Sequence, residues 1–234
     1  MILSHTHEFI FICNGKTGTS SVEAALEPYQ EGKEFEVGVD GLYTEKHVPP
    51  ATLRAQLGPD VWEEYFTFAF VRNPWDWFVS QYYWNWRAPQ LSKRELLRRP
   101  VTTLKEYWQE KKEKEKRREV DTFSPADIHA TYDLLRRYRG IHQADSLFQY
   151  NYIHSLEGDK LVDFVGRFEQ IEDDFQRAAQ QIGIDASLPH WNSTSHRTYQ
   201  SYYTDETAPL IRDLYAVDID TFGYSYDLAD AQSD

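Results

Sequence analysis

The polar turn GKTGTSS at residues 15–21 holds the side chains of this chain that are best suited to bind an anion. Glycine lets a backbone approach a phosphate closely, and successive N–H groups leading into a helix direct positive dipoles at it. Lys16 adds a full positive charge. Further hydrogen-bond donors come from the hydroxyl groups of Thr17, Thr19, Ser20 and Ser21. The turn therefore predicts an anion site, although the same composition also suits an ordinary joint between a strand and a helix.

A second candidate anion site follows the apolar segment FTFAFV at residues 66–71. Arg72 stands at the expected C-terminal end of this buried strand, and Pro74 suits the first turn of the helix that comes next. Ser80 lies about two turns into that helix. A planar guanidinium beside a hydroxyl is a good clamp for a phosphate group. An arginine that only caps a carbonyl would explain this segment equally well if it stood alone.

Alternating strands and helices are expected to position the two motifs. The apolar and periodic segments predict strands at residues 8–13, 35–39, 66–71 and 160–168, and helices at residues 20–27, 49–57, 75–86, 104–120, 125–139, 171–182 and 204–215. Gly140 and Gly183 are expected to end two of these helices. The alternation indicates an α/β fold with a mostly parallel central sheet covered on both faces, in which ligands bind at the C-terminal ends of strands. Both anion motifs fall at such ends.

Together the two segments resemble the nucleotide-binding signature of the sulfotransferases that use 3′-phosphoadenosine 5′-phosphosulfate (PAPS). The resemblance implies a P-loop-type three-layer α/β/α fold in which the loop from Lys16 through Thr17, Gly18, Thr19 and Ser20 to Ser21 grips the 5′-phosphosulfate. Arg72 and Ser80 would then grip the 3′-phosphate. Further similarity lies in VGRFE, NSTSH and DIDTFGY at residues 165–169, 192–196 and 218–224. The pattern is most similar to the carbohydrate branch, which contains the heparan-sulfate uronosyl 2-O-sulfotransferases and small bacterial relatives.

The same resemblance implies a metal-independent, in-line transfer that leaves adenosine 3′,5′-bisphosphate (PAP) as product. A base is needed beside the acceptor hydroxyl, and histidine is best matched to neutral pH. His47 is favoured because the carbohydrate sulfotransferases carry a catalytic His-Val in a similar place, with Glu45 or Glu23 as alternatives. Lys16 is expected to neutralise charge on the phosphate–sulfate bridge, and Arg197 to close over the nucleotide.

A P-loop kinase or another nucleoside triphosphatase is the main alternative, because Gly15-Lys16-Thr17 imitates the end of a Walker A motif. That motif needs another glycine five residues before its Gly-Lys pair, and Ile10 stands there. Arg72 also occupies the strand end where an Asp that holds Mg²⁺ would be expected. We therefore expect no metal. A Mg²⁺-dependent small-molecule kinase and a noncatalytic protein that binds a nucleotide or a sulfated glycan stay open as second and third interpretations.

The composition fits one globular enzyme. The 234 residues carry a net charge of −13, which argues against nucleic acid as a partner. We expect a single domain over residues 1–226, with a helical substrate-side insertion at about 87–150 and an acidic tail at 227–234. Cys13 is the only cysteine, which excludes an intramolecular disulfide, and a buried strand residue is favoured over a nucleophile. With no apolar stretch long enough for a membrane span and no signal peptide, the protein is expected to be cytoplasmic and free of membranes.

The acceptor is predicted to be a small molecule or a glycan. The charged run at residues 105–118 suits a solvated helix, with an anionic acceptor as the alternative partner of its basic residues. The aromatic helix at residues 75–86 is expected to be mostly core, leaving Trp84 or Trp86 near the acceptor. A carbohydrate hydroxyl is the leading candidate, and a lipid, a polyketide or a small phenol are alternatives.

Overall fold

A four-stranded sheet forms the centre of the protein. The structure is a computed structural model that describes residues 1–31, 48–87, 120–142, 147–155, 157–189 and 197–227. The strands are β1 (Ile2–Ser4), β2 (Phe9–Ile12), β3 (Phe66–Val71) and β4 (Phe164–Arg167). They lie in the order β1-β2-β3-β4, with β1 antiparallel to β2 and the other two pairs parallel. The predicted α/β class with a mostly parallel sheet is therefore confirmed.

Helices flank these strands along the described chain. The α-helices are α1 (Thr19–Leu26), α2 (Pro50–Leu57), α3 (Pro59–Glu64), α4 (Pro74–Arg87), α5 (Pro125–His142), α6 (Ile171–Gln181), α7 (Thr207–Leu214) and α8 (Ala216–Phe222). Short 3₁₀ turns occupy Glu27–Tyr29, Gln149–Tyr152, Phe168–Gln170 and Tyr199–Tyr202. The prolines that open α2, α3 and α4 stand where a missing N–H group costs nothing.

Both faces of the sheet are buried, as the continuous apolar runs of β2 and β3 require. On one face, phenylalanines such as Phe11 and Phe70 pack against α1 and against Phe175 of α6. On the other face, Ile12 and Val71 pack with residues of α2 and α3 and with the Gln149–Tyr152 turn. A third apolar cluster surrounds α4, and its fully buried rings include Trp77, Phe78, Phe123 and Tyr215.

Element boundaries differ from the predicted ones where tertiary packing outweighs local signals. Helix α5 continues through Gly140, whose cost inside a helix is only about 1 kcal/mol, so Gly140 is not the predicted stop. The predicted helix at 204–215 is shorter, and α8 follows it after the buried Tyr215. Strand β4 covers only part of 160–168 because Lys160 instead forms an antiparallel bridge with His154. Strand β1 was not predicted, and residues 35–39 and 104–119 lie outside the described residues.

Candidate active site

The turn between β2 and α1 has a backbone that only special residues adopt easily. Gly18 caps α1 with a left-handed φ of 81°, and Lys16 has a φ of 70°. A β-carbon at residue 18 would collide with the side chain of Ile171 and crowd that of Phe168. The left-handed backbone angle therefore favours glycine at this position, and any side chain there would also have to displace the end of the Ile171 side chain.

The carbonyl groups of this turn are held from the protein side. The Thr17 hydroxyl donates to the Asn14 carbonyl at 2.8 Å, and the Trp77 indole N–H donates to the Gly15 carbonyl at 2.9 Å. An Arg72 Nη1 group donates to the Lys16 carbonyl at 3.1 Å. These three bonds fix the acceptor side of the loop against the body of the protein.

Several backbone N–H groups of the loop are available to bind a ligand. Within the described part of the chain, no protein acceptor receives the backbone N–H groups of Gly15, Gly18, Thr19 and Ser20. Phosphate binds at a helix N-terminus to successive backbone N–H groups that have no protein acceptor. The carbonyl groups of such a loop are meanwhile hydrogen-bonded to the protein. The local geometry thus suits an oxyanion.

Arg72 joins the two predicted anion motifs directly. Besides its bond to the Lys16 carbonyl, its Nε group donates to the Asp76 carboxylate at 2.8 Å, one helical turn further along. Its guanidinium also stacks on the Phe168 ring, 4.1 Å from the centroid. Only 13% of its side chain is exposed. The guanidinium is therefore fixed in place beside the loop, and the i,i+4 spacing of Asp76 is the sequence signal that could have identified this partner.

Lys16 meets one of the aromatic residues predicted to lie near the acceptor. Its ammonium sits 4.3 Å from the ring centroid of Trp84, on α4. Trp84 is 60% exposed, whereas Trp75, Trp77 and Tyr82 of the same helix are buried as predicted. The side chain of Trp86 lies outside the described part. An exposed indole that carries a cation on its face positions that cation by a cation–π interaction.

A buried polar network beneath the loop was not predicted. Gln149 binds the Arg72 backbone twice, accepting from its N–H and donating to its carbonyl at 2.8 Å each. Asn14 donates to the Phe70 carbonyl at 3.0 Å and to the Gln149 side chain at 3.4 Å. Asp218 accepts the backbone N–H of Gln149 at 3.0 Å. No periodicity marks Gln149, because its role depends on residues far away in sequence.

The turn after β3 is held by a second network. Asn73 is buried, accepts the Trp75 N–H through its side chain, and donates its own backbone N–H to Glu169 at 2.7 Å. Glu169 also accepts from the Tyr224 hydroxyl at 3.1 Å. Although the residue as a whole is exposed, its carboxylate is enclosed by these partners, and this burial raises the pKa of Glu169 despite the bonds that oppose it.

The sequence profile of the sulfotransferase family matches residues 1–225, nearly the whole chain. The chain belongs to the sulfotransferase family. No curated protein and no solved structure matched it. The family assignment agrees with the resemblance of the two anion motifs and supports sulfuryl transfer as the general chemistry of this sulfotransferase.

The other predicted site residues of this sulfotransferase are placed as follows. Thr17 and Thr19 are buried in the loop, Ser20 is exposed, and Ser21 and Ser80 are half-buried. Arg197 donates to the carbonyls of Val120 and Asp121, and its guanidinium lies over the Tyr202 ring. His47 and Glu45, with the NSTSH segment, lie outside the described residues. Val48, the next residue, is buried on the sheet face opposite α1.

Cys13 of the sulfotransferase is the predicted buried residue. It is 1% exposed, and burial above all raises the pKa of its thiol to about 12. It donates to Glu23 at 3.1 Å, so one of the alternative bases is engaged with a buried thiol. A thiol with this pKa is not a nucleophile at neutral pH.

The described residues of the sulfotransferase contain neither a helix suited to span a membrane nor a cluster of metal ligands. No described helix combines the length and the apolar character that crossing a bilayer requires. In the same ranges, no three or more His, Cys, Asp and Glu side chains are grouped as a metal ion would need.

Proposed function

We propose that the protein transfers the sulfuryl group of PAPS to an acceptor hydroxyl, with a carbohydrate as the acceptor, and that it does so without a metal ion. The observation that carries this proposal is the loop at residues 15–21, in which the Gly15 and Lys16 carbonyls are held by Trp77 and Arg72. The backbone N–H groups of Gly15, Gly18, Thr19 and Ser20 have no protein acceptor among the described residues. This donor array suits the 5′-phosphosulfate of the nucleotide. Only the sequence supports the assignment to the carbohydrate branch and the proposed cytoplasmic location.

The contact between Arg72 and the loop supports a doubly phosphorylated donor. Nη1 of Arg72 reaches the Lys16 carbonyl and Nε reaches Asp76, while Nη2 has no partner among the described residues. A guanidinium held in this way can add a bond to a second phosphate group without moving. One nucleotide with phosphates at both the 5′ and the 3′ position would thus use the loop and Arg72 together.

Each residue then has a role in the transfer. PAPS supplies an activated sulfuryl group on a phosphate leaving group. Lys16 and the loop N–H groups stabilise the charge that develops as the bond to the 5′-phosphate breaks. Arg72 and Ser80 hold the 3′-phosphate, and His47 removes the proton of the acceptor hydroxyl. The exposed ring of Trp84 offers a face for a sugar beside Lys16.

Nucleotide binding in EDTA tests the donor assignment. We expect PAP to raise the melting temperature in EDTA, and to do so more than ATP with Mg²⁺ does in a parallel sample. A preference for ATP with Mg²⁺ would favour the kinase alternative. Binding of PAP without transfer to any member of an acceptor panel would favour the noncatalytic alternative.

Substitution of Lys16 tests its catalytic role. We expect Lys16→Ala to lower kcat by about 10²- to 10³-fold, because a charge that stabilises the transition state is lost. The melting temperature should stay near that of the wild type. Arg136→Ala removes an exposed cation on α5 and serves as the control. Near-normal turnover of Lys16→Ala would contradict the role.

A further inference from the structure

A cavity of about 290 Å³ opens at the C-terminal ends of β3 and β4, on the sheet face opposite α1. Val71 and Arg167, the last residues of these strands, are paired in register and both line it. Phe222 of α8 adds an apolar wall, and His154 and Lys160 add polar groups. Its volume is just below the usual range of small-molecule pockets, which begins at about 300 Å³, so only a small ligand would fit.

The two cations of this cavity are fixed by neutral partners. Arg167 donates through Nη2 to the Phe222 carbonyl at 2.6 Å, and its guanidinium lies 4.7 Å from the centroid of the Tyr224 ring. Lys160 donates to the Asp163 carbonyl at 3.1 Å. These contacts orient both side chains without bringing a carboxylate oxygen of the described residues within ion-pair distance.

Most of the arginines whose side chains are described are paired with a carboxylate, in contrast to Arg167. The chain has a net charge of −13, and five arginines have a carboxylate oxygen within 4.0 Å. These are Arg54, Arg72, Arg177, Arg197 and Arg212. Over the described ranges, neither Lys160 nor Arg167 has such a partner. Two positive charges that line one cavity both attract an anion placed between them.

His154 adds a polar group to the wall of the cavity. Its Nδ1 atom is buried and makes no well-aligned hydrogen bond among the described residues, although the backbone of Tyr150 lies within reach of the ring. Its ring stacks on Tyr150 with centroids 4.2 Å apart, which fixes its orientation. Burial lowers the pKa of His154, the Tyr150 backbone opposes this shift, and the charge of Lys160 lowers the pKa further.

We propose that this cavity is a second anion-binding site, separate from the loop and Arg72, which takes a small acidic molecule through its carboxylate or sulfate group. Lys160 and Arg167 bind the anionic group, because charge-assisted hydrogen bonds to ammonium and guanidinium groups are the strong ones. Val71 and Phe222 contact the apolar body of the same molecule. The proposal does not depend on the identity of the sulfuryl donor.

Titration followed by NMR tests the site. The imidazole signals of His154, assigned by comparison with His154→Gln, are recorded while benzoate, inorganic sulfate or uncharged benzyl alcohol is added. We expect a saturable shift with benzoate or sulfate and none with benzyl alcohol. Lys160→Gln should weaken the anion at least about tenfold, since it removes one charge-assisted bond. It is preferred to substitution of Arg167 because Lys160 is exposed and should not affect folding.

Two controls distinguish binding in this cavity from nonspecific attraction of an anion and from binding at the loop. Arg136→Gln removes a different exposed cation and should leave the affinity unchanged. Saturating PAP should also leave it unchanged, and the titration can be repeated with Lys16→Ala if PAP does not bind. The proposal is overturned if neither anion shifts His154 saturably, if Lys160→Gln binds as well as the wild type, or if PAP competes with the anion.

Discussion

Lys16 is held at both ends of the residue. Its carbonyl accepts from Arg72, and its ammonium lies over the ring of Trp84. Its left-handed backbone, with a φ of 70°, is uncommon for a residue with a β-carbon and needs such support. The lysine that the sequence singles out is therefore positioned by two residues of the second motif and its helix.

Removal of the Trp84 ring should impair the reaction without affecting the fold. A cation–π contact at an exposed site contributes about 0.5–1 kcal/mol, so Trp84→Ala should lower kcat/KM by about two- to fivefold. Steady-state kinetics with PAPS and an acceptor measure this change. Trp84→Phe keeps an aromatic face and should lose less. Equal losses in the two variants would show that the face of the ring is not what matters.

Arg72→Lys should show how much the 3′-phosphate contributes to nucleotide binding. Lysine keeps the charge but loses the planar fork and the stacking on Phe168. We expect PAP to bind at least about tenfold more weakly, as for the loss of one charge-assisted bond. AMP, which lacks the 3′-phosphate, should be affected much less. Calorimetry with both nucleotides measures the difference, and Arg54→Lys at an exposed ion pair is the control.

Gln149 connects three elements that lie far apart in the sequence. It pairs with the backbone of Arg72 after β3, contacts Asn14 after β2, and is itself held by Asp218 of α8. All of these polar groups except the Arg72 side chain are almost fully buried. The network keeps the ends of β2 and β3 in a fixed relation, and both predicted anion motifs begin at those ends.

Gln149→Leu should therefore destabilise the fold strongly. It leaves a backbone N–H and a carbonyl of Arg72 without their partners, at about 1–3 kcal/mol for each buried group. For a protein of this size, we expect the melting temperature to fall by about 5–15 °C. Gln180→Leu, an exposed position on α6, is the matched control and should change little. A similar loss in both variants would contradict the role of the network.

The whole molecule is acidic, with 38 Asp and Glu residues against 25 Lys and Arg residues. Repulsion between like charges destabilises the compact state. The exposed ion pairs oppose this only weakly, because each contributes about 0–1 kcal/mol. The net negative charge of the protein repels an anionic ligand, and Lys16 and Arg72 must attract the ligand against this repulsion.

Sodium chloride should therefore stabilise the protein. Salt shortens the Debye length from about 10 Å at 0.1 M to about 3 Å at 1 M, which screens the net repulsion more than it weakens the ion pairs. We expect the melting temperature to rise by a few degrees over about this range. An uncharged osmolyte at equal osmolality controls for solvent exclusion. A fall in melting temperature with salt would mean that the ion pairs dominate.

Local sequence predicted the central elements of the fold, and it defined the two candidate anion motifs. Strand β3 begins and ends where its apolar run does, and α1 starts within one residue of its predicted start. The loop at residues 15–21 and Arg72 were found for the same reason: their chemistry and backbone demands are local. The direct bond between Arg72 and the Lys16 carbonyl agrees with the expectation that both motifs lie at the C-terminal ends of strands.

Long-range packing decided the rest. The roles of Gln149 and Asp218, the ring over Lys16 and the pairing of β1 arise from residues that become neighbours only after folding. The cavity beside His154 also depends on long-range packing, since β3, β4, the bridged residues His154 and Lys160, and α8 each supply part of its wall. Hydrogen bonds and charges act over a few ångströms in space, whereas periodicity reports only on neighbours along the chain. For this reason the motifs could be predicted from the amino acids, and their partners only from the folded protein.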